Sequence, residues 1–169
     1  LNPKILVDTQ EKESAIMNHL LVMTKTDKRY KKVEISAKSG GSADYVIVDK
    51  DGNHWGVERK TLGDCYSSII QKDKDGKERA QAQLAELKAD YNERAIFMLQ
   101  VGGNVSKRIP TPIWIIKTAV FTFATRRSFL MPLILYENPK HGAYMLLDLA
   151  VKLPDITIEG RGVKITRKT

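Results

Sequence analysis

The stretch Asp44–Lys60, DYVIVDKDGNHWGVERK, leaves a folding chain little choice. Two β-rich runs, Asp44–Val48 and His54–Glu58, flank Asp49-Lys50-Asp51-Gly52-Asn53, a strong hairpin signal. The second run has an apolar approach, Trp55-Gly56-Val57, and then delivers Glu58, Arg59 and Lys60, with Asp64 close behind. Side chains alternate along a strand, so Glu58 and Lys60 share a face while Arg59 points the other way. Register decides the rest. A five-residue loop at 49–53 sets Asp44 opposite Glu58, with both carboxylates on one face. A two-residue turn at Asp51-Gly52 instead pairs Asp44 with Arg59 and separates the acids.

Two carboxylates meeting at the end of a sheet repel each other unless a cation joins them. Mg²⁺ or Mn²⁺ takes oxygen ligands, commonly one or two carboxylates with water and substrate phosphate completing the set. A lysine two residues beyond such a ligand reaches the attacking water or the scissile phosphate and stabilises developing charge. The five-residue-loop register therefore makes Asp44 and Glu58 candidate metal ligands, with Lys60 as their catalytic partner. Arg59, on the opposite face, ties Asp64 or another acid into a salt bridge, or touches a phosphate. A Glu-Arg-Lys taken alone is more often a solvated stretch, and Asp64 alone is equally well a helix-start carboxylate.

The rest of the chain alternates strands and helices. Lys4–Val7 reads as a strand, and Thr9 as the cap of a helix running from about Glu13 to Met23. Lys25–Lys32 reads as a charged loop, Val33–Ala37 as a strand and Ser39–Ser42 as a turn. Leu62–Ile70 has helical spacing. Glu78–Tyr91 fits a helix burying Ala82, Leu84, Ala85 and Leu87. Ala95–Val101 is a continuous apolar run, as in a strand buried on both faces. Ile113–Thr125 follows as an apolar helix, Leu133–Tyr136 as a strand and Pro139–Val151 as a helix. The fold class expected is α/β, a central mixed β-sheet flanked by helices. One domain occupies 1–153, and the basic tail 154–169 reads as a small hairpin or an irregular end.

Composition points to a polyanionic partner. Lys and Arg total 28 against 20 Asp and Glu, a net charge of +8. The basic residues are scattered along the chain, which fits nucleic acid better than a membrane surface contacted by one basic amphipathic segment. Cys65 is the sole cysteine, so no internal disulfide exists and a reducing compartment is expected. His19, His54 and His141 are far apart and show no zinc spacing.

Ala43-Asp44-Tyr45, Val57-Glu58-Arg59-Lys60 and Asp64 together resemble the Gly-Asp…Glu-Arg-Lys-x-x-x-Asp signature of XPF-type structure-specific endonucleases. Ile5–Glu11 is similar to that family's opening strand, which ends in Val-Asp-x-x-Glu. Residues 64–69, 79–84 and 142–150 resemble its later helices, so the resemblance covers about residues 4–152. It implies a restriction-endonuclease-like core, dependence on Mg²⁺ or Mn²⁺, and cleavage of branched DNA such as flaps and forks. It also implies dimerisation through the nuclease domain, with Ile113–Thr125 and the C-terminal helices as candidates, and a nucleoid-associated or nuclear location. Under it, Asp8 and Glu11 enlarge the acidic cluster as further metal ligands or water positioners.

This sequence departs from the family pattern in two ways. Ala43 stands where the family has Gly, and no helix-hairpin-helix pair follows the nuclease domain. The chain is then an excised domain or a compact form relying on its own basic surface. Inactive family members lack the acids; here Asp44, Glu58, Lys60 and Asp64 are all present, so an active nuclease is expected. The alternatives are a Holliday-junction resolvase-like nuclease with the same chemistry and a non-catalytic subunit that binds branched DNA.

Overall fold

The computed structural model describes residues 1–10, 14–65, 74–102, 131–160 and 163–167. The expected helix at Ile113–Thr125 lies outside them, as do the rest of Leu62–Ile70 beyond Cys65 and the candidate acid Glu11.

The strands β1 (Lys4–Asp8), β2 (Glu34–Lys38), β3 (Tyr45–Val48), β4 (His54–Thr61), β5 (Ala95–Gln100) and β6 (Leu133–Tyr136) form one sheet. Their order is β2-β1-β3-β4-β5-β6. β1 pairs with β2 in parallel and with β3 antiparallel, and β3 and β4 form the hairpin. β5 and β6 then add in parallel, so the sheet is mixed. β5 is buried along almost its whole length because it has a strand on each side and a core on each face.

The helices α1 (Ser14–Thr26), α2 (Leu62–Cys65), α3 (Lys74–Tyr91) and α4 (Pro139–Lys152) divide between the two faces. α1 contributes Ile16, Leu20 and Met23, and α4 contributes Ala143, Leu146, Leu147 and Ala150, to a core against Ile5, Val7, Ile47, Val57 and Met98. Both helices show the three- and four-residue spacing of a buried stripe. On the other face α3 lays Leu84, Leu87 and Tyr91 against Val46, Phe97 and Leu99. Ala82 and Ala85, expected on that stripe, are exposed. The two leucines and Tyr91 lie on one line at i, i+3 and i+7, and the alanines fall to either side of it.

Two local expectations are corrected and a third is met. Thr9 continues the strand pairing through its N–H to the Lys38 carbonyl at 3.0 Å, and α1 extends to Thr26. The charged segment Lys25–Lys32 is not an open loop but holds a 3₁₀ turn, Lys28–Tyr30, because Tyr30 is apolar enough to be drawn into the core. The tail forms the small hairpin, one of its two expected readings, with β7 (Ile156–Gly160) and β8 (Val163–Arg167) paired antiparallel. Among the described residues no helix is long and apolar enough to cross a membrane.

The hairpin register follows from its loop. Val48 pairs with His54 and Tyr45 with Val57. Asp49 N–H donates to the Asn53 carbonyl and Gly52 N–H to the Asp49 carbonyl, each at 2.9 Å. Gly52 takes φ +83°, the left-handed conformation that completes this kind of loop. The Asp49 carboxylate lies at 0% exposure and accepts from Asp51 N–H, Asn53 N–H and the Trp55 indole, all at 2.9 Å. Burial alone would raise this carboxyl, but these donors overcome it and hold the group below the ordinary carboxylate range. Gly56 is needed for a different reason: a Cβ there would lie inside the Tyr91 ring that covers β4. Asp49→Ala would remove the acceptor of three part-buried donors and should cost about 1–3 kcal/mol by denaturant unfolding. Asp51→Ala, at an exposed loop position, should stay within about 0.5 kcal/mol of the native protein.

Candidate active site

The hairpin and β1 converge on Asp44, which sits at a bend just before β3. Its N–H donates to the Val57 carbonyl at 2.9 Å, and its carbonyl accepts from Asp8 N–H at 2.9 Å. Continuing the two ladders by one residue sets Asp44 between Asp8 on β1 and Glu58 on β4. Alternation then puts Asp8, Asp44, Glu58 and Lys60 on the face that α3 covers, the face of Leu6, Val46 and Val48. Arg59 points to the α1 and α4 face, buried beside Val57 and Met98 along the strand direction.

The Asp44 and Glu58 carboxyl groups are in hydrogen-bond contact. Asp44 Oδ2 also accepts from the Arg59 backbone N–H at 2.8 Å, so Arg59 orients the first acid through its main chain. Glu58 is only 7% exposed. Burial, and next the Asp44 carboxyl beside it, push Glu58 up to about 8 against the pull of the Lys60 ammonium. Lys60 Nζ lies 3.6 Å from Glu58 Oε1 and donates to Gln83 Oε1 at 3.3 Å. Gln83 extends from α3, which Ser42 also ties down through a 2.6 Å hydrogen bond to Asp90.

The remaining candidates have other partners. Asp8 accepts from Gln10 N–H at 2.9 Å and faces Lys38 Nζ at 3.7 Å, so it stands in the row but is matched by a cation. Asp64 accepts from Thr61 N–H at 3.0 Å and Thr61 Oγ1 at 2.9 Å, while its own N–H donates back to Thr61 Oγ1 at 3.1 Å. That reciprocal pairing caps α2. Among the described residues no three His, Cys, Asp or Glu side chains converge as a metal cage. Two acids in contact, one of them buried, nevertheless form an all-oxygen donor set that suits a hard divalent cation keeping several waters.

Sequence reasoning did not find the Arg59 main-chain contact, the Asp8–Lys38 pair or Gln83 as a partner of Lys60. Only Gln83 had a signal, its place on an amphipathic helix, and nothing in the sequence aimed it at Lys60.

A mixed six-stranded sheet with helices on both faces, carrying an acid pair and Glu-x-Lys at the hairpin's end, has the restriction-endonuclease-like fold. The ERCC4 domain model matches residues 7–128, and the chain belongs to this family of XPF-type nuclease domains. No curated protein is significantly similar to the chain in sequence. Among solved structures it is similar to XPF from Aeropyrum pernix, with 22% identity and a TM-score of 0.61 over 87% of this chain. It is similarly like the same protein in complex with DNA, with 22% identity and a TM-score of 0.62 over 88% of this chain. In both cases the match spans 63% of the relative's chain, and at this identity the likeness is one of fold.

The raised Glu58 carboxyl ties stability to pH. The folded protein holds this proton up to about pH 8, whereas the unfolded chain releases it near the ordinary glutamate value of 4.5. The folded state binds more protons between these values, so stability falls as pH rises through the window. In EDTA, Glu58→Gln should match the native protein below pH 4.5 and exceed it by roughly 2–4 kcal/mol above pH 8. Thermal unfolding of both proteins across pH 4–9 measures the difference.

Proposed function

We propose that this domain is a metal-dependent, structure-specific endonuclease that hydrolyses phosphodiester bonds in branched DNA such as flaps and forks. The observation that carries the reading is the contact between the Asp44 and Glu58 carboxyl groups with Lys60 on the same face. Membership in the ERCC4 domain family and the basic balance of the chain support it.

In this reading Asp44 and Glu58 are the residues that would hold Mg²⁺ or Mn²⁺. When bound, such an ion supplies Lewis-acid polarisation and a water of lowered pKa. Glu58 gives up its proton to take on this role, which the Asp44 contact and its burial otherwise oppose. The Arg59 N–H keeps Asp44 Oδ2 in place. Lys60 presents its ammonium beside Glu58, where it can meet the charge that develops on the scissile phosphate, and Gln83 steadies it. Asp8, matched with Lys38, positions solvent at the edge of the site, and Glu11 belongs to the same proposed cluster. Pairing with a second nuclease domain is part of the proposal. β6 ends the sheet of described strands and leaves Leu135 46% exposed, a surface such a partner would cover.

Labelled flaps, forks, four-way junctions and plain duplex, incubated with Mg²⁺ or Mn²⁺ and with EDTA as the control, test the reading. Flaps and forks should be cut preferentially. Asp44→Ala and Glu58→Ala should each lower the cleavage rate by ~10³-fold or more while DNA binding stays measurable. Turnover like the native protein's in either variant would overturn the site. Preference for four-way junctions would favour a resolvase, and binding without any cleavage a non-catalytic subunit.

A further inference from the structure

The segment between α1 and β2 carries a second basic feature, and its local structure is built rather than loose. Asp27 caps the 3₁₀ turn by accepting from Arg29 N–H at 3.0 Å. The Arg29 guanidinium pairs with Asp27 at 2.7 Å and lies over the rings of Tyr30 and Tyr144, at 5.0 and 6.0 Å from their centroids. Tyr30 is buried, and its hydroxyl donates to Asp148 at 2.7 Å. The remaining nearby acid, Glu34, faces Lys4 at 3.5 Å. Every acid around the turn is therefore engaged by a neighbour that is not one of the loop lysines. Lys25, Lys28, Lys31 and Lys32 are all exposed, and none has an ion-pair partner among the described residues.

This platform stands at the opposite end of the sheet from the acid pair. β1 and β2 run in parallel from Lys4 and Glu34 to Asp8 and Lys38, and the turn precedes Glu34. Between the two ends β2 is the outer strand, and its exposed residues Ser36 and Ala37 are small and uncharged. Lys38 marks the active-site end, donating to the Gly40 carbonyl at 2.7 Å beside Asp8. The six steps from Lys32, through the end of the turn and along β2, to Lys38 cover at most about 20 Å. At ~3.4 Å per step, that is about six base pairs of duplex.

We propose that Lys28, Lys31 and Lys32 form a phosphate-binding platform for a duplex arm of the substrate, which lies along the β2 edge and leaves the acid pair at its junction end. The inference rests on the nuclease reading for its choice of nucleic acid, but its test does not require cleavage. The lysines give affinity without sequence preference, because a phosphate contact positions a duplex and reads no base. They act only on an arm long enough to reach them.

The experiment compares the native protein with a Lys28→Gln/Lys31→Gln/Lys32→Gln variant, matched by circular dichroism and melting temperature. Binding to forked DNA is measured in EDTA over a range of salt, with duplex arms of 12 and 4 base pairs. On the long arm the variant should bind ~10-fold or more weakly, with a salt dependence shallower by about 2–3 in log–log slope. On the short arm the two proteins should bind alike. With Mg²⁺ and saturating long-arm substrate, the cleavage rate should be unchanged and KM raised. Equal affinity and salt slope on the long arm overturn the proposal, as does an equal loss on both arms. Loss of binding to phosphatidylserine vesicles with DNA binding intact overturns it in favour of a membrane contact. Absence of cleavage with lysine-dependent, length-dependent binding would sink the nuclease reading and leave this one standing.

Discussion

The site depends on one register. Strand side chains alternate with period two, so a slip of a single residue between β3 and β4 would carry Asp44 away from Glu58 and beside Arg59. The loop at 49–53 prevents that slip. The left-handed conformation at Gly52 and the three donors on the Asp49 carboxylate select one length of loop. A buried acid at the far end of the hairpin thus sets which acids meet at the working end. The Arg59 N–H on Asp44 Oδ2 closes the arrangement from the other side.

That arrangement concentrates a cost in one place. Glu58 is buried against a second carboxyl group, and only the Lys60 ammonium offsets the charge. A sheet selected for stability alone would place an apolar residue there, as it does at Phe97 and Leu99 on the neighbouring strand. The surrounding structure holds the strain in check. Tyr91 packs on Gly56, α3 is tied to Ser42 and Lys60, and β5 supports β4 along six residue pairs. Paired carboxyls whose protonation is perturbed in this way mark a functional site more often than a structural one.

The opposite end of the domain treats charge differently. Around the 3₁₀ turn each acid is matched, and the uncompensated lysines point to solvent. The two ends share the β1–β2 pair, which fixes their separation.

Much of this was legible in the sequence, for physical reasons that act over short stretches. Hairpin composition announced β3 and β4, the apolar run announced β5, and period-two alternation put Glu58 and Lys60 on one face and Arg59 on the other. The two registers were both open from the residues, since Asp51-Gly52 also suits a tighter turn; the hydrogen bonds of Asp49 chose between them. Ala82 and Ala85 were misplaced because a helix's buried line depends on where the sheet lies beneath it, which no local spacing states. What the sequence by itself determined was the set of acids and the face each would take, because strand geometry is local. Only the tertiary structure decided that Asp8 would meet Lys38 and that Gln83 would reach Lys60, while the Asp64–Thr61 cap is local and was among the readings the sequence offered. Those two pairings join segments far apart in the chain, and packing alone brings their side chains within reach.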